Sequence, residues 1–157
     1  MKNNLAAAFV VLLLLGAQGA RAQDAGDATD MQALKSAVST DKRALVASTL
    51  DLSAAEAKKF WPLYDAYQRR VTAANKRRTV ALESVVALDK PASNPFARKL
   101  ADELIAADED ELRARRTLHN AVVKALPAKK AARYLQLEGK IRSLQAYEVA
   151  STIPLVK

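Results

Sequence analysis

The stretch Leu52-Ser53-Ala54-Ala55-Glu56-Ala57-Lys58-Lys59-Phe60-Trp61-Pro62-Leu63-Tyr64-Asp65-Ala66-Tyr67-Gln68-Arg69-Arg70 limits the fold more tightly than any other part of the chain. Ser53, with Glu56 three residues on and an apolar run beyond, forms a capping box. The hydroxyl accepts from an orphan amide of the first turn, and the carboxylate accepts from the amide at the cap. A helix starts here. Turning about 100° per residue groups Phe60, Tyr64, Tyr67 and Val71 on one side and sets Lys58, Asp65 and Arg69 on the other. The same spacing runs on through Ala74, Leu82, Val85 and Val86 to about Leu88, which predicts a rod of about 50 Å at about 1.5 Å per residue. Pro62 lies past the first turn, where it removes a backbone hydrogen bond and crowds the preceding turn, so a bend is expected there.

Three more helical patterns flank this one. Met31, Leu34, Val38 and Leu45 recur at helical spacing over residues 30–50, interrupted near Ser39-Thr40-Asp41, where a new cap can form; this predicts one helix or two short ones. Asp89-Lys90-Pro91-Ala92-Ser93-Asn94-Pro95 is a turn signal, and Asn94 reads as a cap with Pro95 opening the third helix. Phe96, Leu100, Leu104, Ala107, Ala114, Leu118, Val122 and Ala125 then mark one face as far as Pro127. Pro127 opens a fourth helix striped by Ala131, Tyr134, Leu137, Ile141 and Leu144, with Lys129, Arg133 and Lys140 as a basic ridge alongside. Residues 151–157 contain Ile153-Pro154 and read as an extended apolar tail that either docks or binds something.

A short loop makes the second and third helices antiparallel. Level ends near 89 and 95 bring the basic run Lys76-Arg77-Arg78 opposite the acidic run Asp108-Glu109-Asp110-Glu111. Arg78 and Glu111 fall on the apolar stripes of their helices, which allows one inward ion pair. Exposed pairs contribute only about 0–1 kcal/mol each, whereas a buried Leu, Val or Phe contributes about 1.5–3 kcal/mol, so apolar contact must hold the hairpin.

Residues 1–22 have the pattern of a secretory signal: Lys2, an apolar run over 5–15, then Gly19-Ala20-Arg21-Ala22 with small residues at the cleavage positions. Eleven apolar residues are too few to span a bilayer. Cleavage after Ala22 leaves 135 residues, of which 23–29 read as a polar, disordered linker, 30–150 as a single helical domain and 151–157 as the tail. With no cysteine, neither a disulfide framework nor a bacterial lipid anchor is available. Losing Lys2 and Arg21 leaves 23 basic against 17 acidic residues, a net of +6 on an exported product for which nucleic acid is not a partner.

The sequence offers little to catalysis. His119 has Arg115, Arg116, Val122 and Val123 as helical neighbours, so no second ligand stands three or four residues away and no metal is expected. The four consecutive acids point around a helix instead of forming a sheltered pair with separated acidities. No Ser-His-Asp spacing, glycine-rich phosphate loop or cysteine nucleophile occurs, and neither an enzyme nor a cofactor is expected. Phe60 and Tyr64 are assigned to the core. Trp61 on the stripe's margin, Tyr67, Arg69, Arg70, Lys129, Arg133 and Lys140 are the candidates for contact with another polypeptide.

The two helix starts Leu52-Ser53-Ala54-Ala55-Glu56 and Leu126-Pro127-Ala128-Lys129-Lys130, 74 residues apart, resemble the paired Leu-Thr-x-x-Gln motifs of the Spy/CpxP-like periplasmic proteins. Ser and Glu stand for Thr and Gln in the first copy, and Pro and Lys fill those places in the second, so the leucines and the helix-start role carry the likeness. The segment 126–156 is similar to the ends of uncharacterised exported helical proteins of proteobacteria. The resemblance implies an all-α, elongated and curved antiparallel assembly of about four helices, often a dimeric cradle. It further implies an ATP-independent chaperone for unfolded polypeptides or, alternatively, an inhibitory partner of an envelope-stress sensor; the family's metal-sensing role lacks ligands here. Alanine lines much of each stripe, so a monomer's core is thin and a second copy would help to bury the aromatics.

Overall fold

A computed structural model describes residues 30–157; the expected leader and linker lie outside the described residues. Among the described residues every element is an α-helix: α1 Met31–Leu50, α2 Ala54–Val86, α3 Asn94–Ala125 and α4 Ala128–Thr152. The described residues form an all-α fold of four helices, as the periodicity predicts.

Each boundary has a local cause. Asp30 caps α1 through its carboxylate to the amides of Gln32 and Ala33 at 2.9 and 3.1 Å. Within α1, Asp41 leaves the helical region for extended backbone (φ −160°, ψ 96°), and its carboxylate caps a second segment through the amides of Arg43 and Ala44. This break shifts the helical phase. Val46 and Leu50, not Leu45, are therefore the buried residues of the second segment. At Ser53 both arms of the capping box form, Ser53 N–H to Glu56 Oε2 at 2.8 Å and Glu56 N–H to Ser53 Oγ at 3.3 Å. α2 runs unbroken through Pro62. Ser93, rather than Asn94, caps α3, because its hydroxyl reaches the amide of Phe96 and Asn94 becomes the first helical residue. α4 continues through Ser151 to Thr152, two residues beyond the expected end, and the non-helical tail is confined to 153–157.

Pairings between helices give their directions. Lys35 meets Glu148 at 2.7 Å and Lys42 meets Glu138 at 3.1 Å, so α1 and α4 are antiparallel. Glu56 meets Lys130 and the Phe60 ring meets Tyr134, both 74 residues apart, so α2 and α4 are parallel. The turn at 87–93 sets α3 antiparallel to α2, and Arg77 bridges Glu103 and Asp110 as the charge pattern predicts.

Helix lengths then divide the molecule. At about 1.5 Å per residue, the 33 and 32 residues of α2 and α3 make rods of about 50 Å, against about 30 Å for the 20 of α1 and about 37 Å for the 25 of α4. Where all four helices overlap, Phe60, Tyr64, Tyr67, Val71, Leu118, Val122, Tyr134, Leu137 and Ile141 pack with Leu34, Val46 and Leu50 into the main core. Toward the tip of the hairpin a second, smaller cluster contains only α2 and α3 residues: Ala81, Val85 and Leu100, with Phe96 and Leu104 against them. Between the clusters lie the small buried residues Ala74 and Ala107 and the buried carboxylate of Glu111.

Candidate functional site

The layer around Glu111 is the inward ion pair that the stripes allow, extended by one partner. Glu111 is 5 % exposed and accepts from Arg78 Nη2 through Oε2 at 2.9 Å and from Arg142 Nε through Oε1. Arg78 also donates to Asp108 Oδ1 at 2.7 Å and to Asn75 Oδ1 at 2.5 Å. Burial works to raise the Glu111 carboxyl, but the two guanidiniums outweigh it and hold its pKa below the ordinary value. Arg142 was not among the sequence candidates. It lies on the flank of its helical stripe, and only the register of α4 against α3 reveals its role.

Beyond this layer α4 diverges from the hairpin, leaving a groove of about 680 Å³. Leu82 and Val85 of α2, Leu100 and Leu104 of α3, and Ala146 and Val149 of α4 make its apolar walls. Arg78, Asp108, Glu111 and Arg142 form a charge-balanced floor. The segment 153–157 borders the groove: Ile153, Pro154, Leu155 and Val156 line it, and the Ala92 amide donates to the main-chain oxygen of Lys157 at 2.9 Å. Leu155 is nonetheless 90 % exposed.

The aromatic cluster sits at the other pole of the bundle. Phe60 meets Trp61 and Tyr134 edge-on at 5.1 and 5.0 Å, and Trp61 meets Tyr64 at 5.4 Å. Trp61 is half-buried, and the Arg43 guanidinium lies 4.1 Å from its ring centre, a cation–π contact that covers the ring from outside. Tyr67 is a correction: at 2 % exposed it is a core residue and offers nothing to a partner. Its hydroxyl faces a buried polar group in which Lys42 donates to Glu138 at 3.1 Å and to Gln68 at 3.2 Å. Burial and the Glu138 charge raise the pKa of the Tyr67 hydroxyl, and burial and Glu138 do the same to Tyr134.

The remaining candidates do not converge. Arg69 and Arg70 are exposed on α2, and Lys129 and Arg133 are exposed near the start of α4, with Lys140 half-buried farther along. At about 100° per residue, Lys129, Arg133 and Lys140 share a face of α4 that is turned roughly 120–180° away from Ala146 and Val149, which line the groove. The basic ridge and the groove therefore look in different directions. By contrast, the two helix starts do meet: Lys130 donates to Glu56 Oε2 at 2.8 Å and to the Asp51 carbonyl at 2.5 Å. Leu126 is buried beneath them, Leu52 packs against the same core, and Pro127 stands at the cap position of α4.

The chain matches no family model, no curated protein and no solved structure. Among the described residues no group of three or more His, Asp or Glu is placed to hold a metal ion, and no helix is long and apolar enough to cross a membrane. His119 is exposed on α3.

Proposed function

We propose that this is an exported, periplasmic protein that holds unfolded or partly folded polypeptides without ATP. The observation that carries it is the groove of about 680 Å³ at the hairpin end, apolar on three helices and open to solvent. A surface of that kind retains an apolar segment by burial alone, at about 25 cal/mol per Å² covered, and needs no reacting group. The net +6 expected after export assists encounter with acidic clients from a distance, while retention is left to the groove. The likeness of the helix starts to Spy/CpxP-like proteins points the same way.

The deciding experiment is aggregation of a chemically denatured client, with and without the purified chain, in the absence of ATP. Near-stoichiometric suppression is expected, and none at low salt ends the proposal. Because the ridge lies away from the groove, Arg133→Glu with Lys140→Glu is expected to slow capture while leaving the final extent of suppression unchanged. A regulatory partner of a stress sensor would instead be recovered with a single stoichiometric membrane protein in a pull-down, and many clients would argue against it.

A further inference from the structure

We infer that the segment 153–157 is a displaceable strap, and that the groove beneath it takes an extended apolar peptide of another polypeptide in the strap's place; this rests on the holding function proposed above. The strap itself shows the chemistry of the occupant. Ile153-Pro154-Leu155-Val156 is four consecutive apolar residues outside the helix, entered through extended backbone at Ile153, and all four line the groove with α2, α3 and α4. Non-helical backbone carries polar groups that need partners, and the hairpin turn supplies one: the Ala92 amide donates to the main-chain oxygen of Lys157 at 2.9 Å. A client strand laid the same way would meet the same amide and the same walls.

Its seating is weak, which separates a strap from a structural closure. Among the described residues that hydrogen bond is the one backbone tie between 153–157 and another element, Leu155 is 90 % exposed, and Val156 is 39 % exposed. Neither of the two core clusters includes a strap residue, so lifting the strap removes nothing from the packing of the four helices. The groove's inner wall belongs to the hairpin itself, since Val85 and Leu100 pack with Ala81, Phe96 and Leu104 in the α2–α3 cluster. The strap borders the open volume of the groove without filling it, so a client competes with it for the walls both touch, and the strap lowers apparent affinity for weak or short clients.

A fluorescent peptide of sequence Ala-Ser-Thr-Ile-Pro-Leu-Val-Lys, identical to residues 150–157, tests the exchange directly. Its binding is measured by polarisation to the full chain and to a chain ending at Thr152. Binding at least tenfold tighter to the shortened chain, lost again on adding Leu104→Lys, supports the inference. No binding to either, or equal binding to both, overturns it. Should the shortened chain misfold, Ile153→Asp in the full-length chain loosens the strap at constant length and is held to the same criteria. Aggregation assays separate the two levels. Peptide binding without any suppression leaves the strap standing and removes the holding function, whereas suppression indifferent to shortening and to added peptide does the reverse. A full chain that dimerises and becomes monomeric on shortening would show the strap exchanging into a second copy and would overturn the client assignment.

Discussion

Glu138 and Lys42 show how a buried charge pair differs in value from its two ends. Glu138 is 3 % exposed, whereas the Lys42 side chain keeps 20 % of its surface and can swing its ammonium toward water. Removing the lysine strands a carboxylate, at a cost of about 3–5 kcal/mol, and removing the carboxylate costs less. Denaturant melts are expected to rank Lys42→Met well below Glu138→Met, with the double variant recovering much of the loss. At the next residue a different term is open to improvement: a Cβ added at Gly139 meets no atom within 4 Å, so Gly139→Ala should raise stability by about 0.5–1 kcal/mol through helix entropy alone. Burial and the nearby Glu138 carboxylate push Tyr64 from an ordinary 10 up to about 12. Its stabilising contribution is complete below pH 10 and is lost as pH rises toward 12, because the unfolded chain ionises first. Alkaline unfolding should therefore set in above pH 10 and be delayed in Tyr64→Phe. At this scale the stripe residues Phe60 and Tyr64 are legible from spacing, whereas the stripes allow an inward Arg78–Glu111 pair without requiring it. Tyr67 was as firmly on the stripe, and a tyrosine's polar tip gives no sign from sequence whether it reaches solvent or a buried partner.

Among the elements, α1 and the hairpin show what capping and charge each decide. Asp41 was readable as a cap within α1, yet the phase shift that follows, from Leu45 to Val46, depends on dihedral angles that no spacing rule supplies. Ser53 was readable in full, and Ser53→Ala should cost about 1 kcal/mol by leaving an amide of α2 unpaired. In the hairpin, the short loop dictates the antiparallel pairing and opposed charges at Arg77, Arg78, Asp108 and Asp110 support it, while Arg142 enters from a helix that the hairpin pattern does not contain. The depressed Glu111 carboxyl gives stability that is present above the ordinary carboxylate pKa and lost as pH falls through its lowered one. Acid titration of the fold should thus show a smaller loss in a Glu111→Gln, Arg78→Met, Arg142→Met triple variant than in the parent, since those charges are no longer there to be neutralised.

For the whole molecule, the mismatch in helix length matters more than any one contact. Rods of about 50 Å were visible in the periodicity of α2 and α3, and the shorter flanking helices were too. That their inequality opens a groove was not legible, because a groove requires knowing which ends are level, and the levels are set by pairs such as Lys35 with Glu148 and Phe60 with Tyr134. The resulting core is lopsided. Amide hydrogen exchange should be fast along the hairpin beyond Ala81 and slow around Val46, Val122 and Tyr134, and equal protection at both ends would contradict the two-cluster packing.

Lys130 joins the carbonyl that ends α1, the capping carboxylate of α2 and the first turn of α4 within one side chain's reach. Three of the four rods are thereby pinned at a single pole, like staves hooped at one rim only. Slack accumulates at the unhooped rim, so the first thing to part under heat, force or an invading strand is the gap between α4 and the hairpin, and it parts without loosening the hoop.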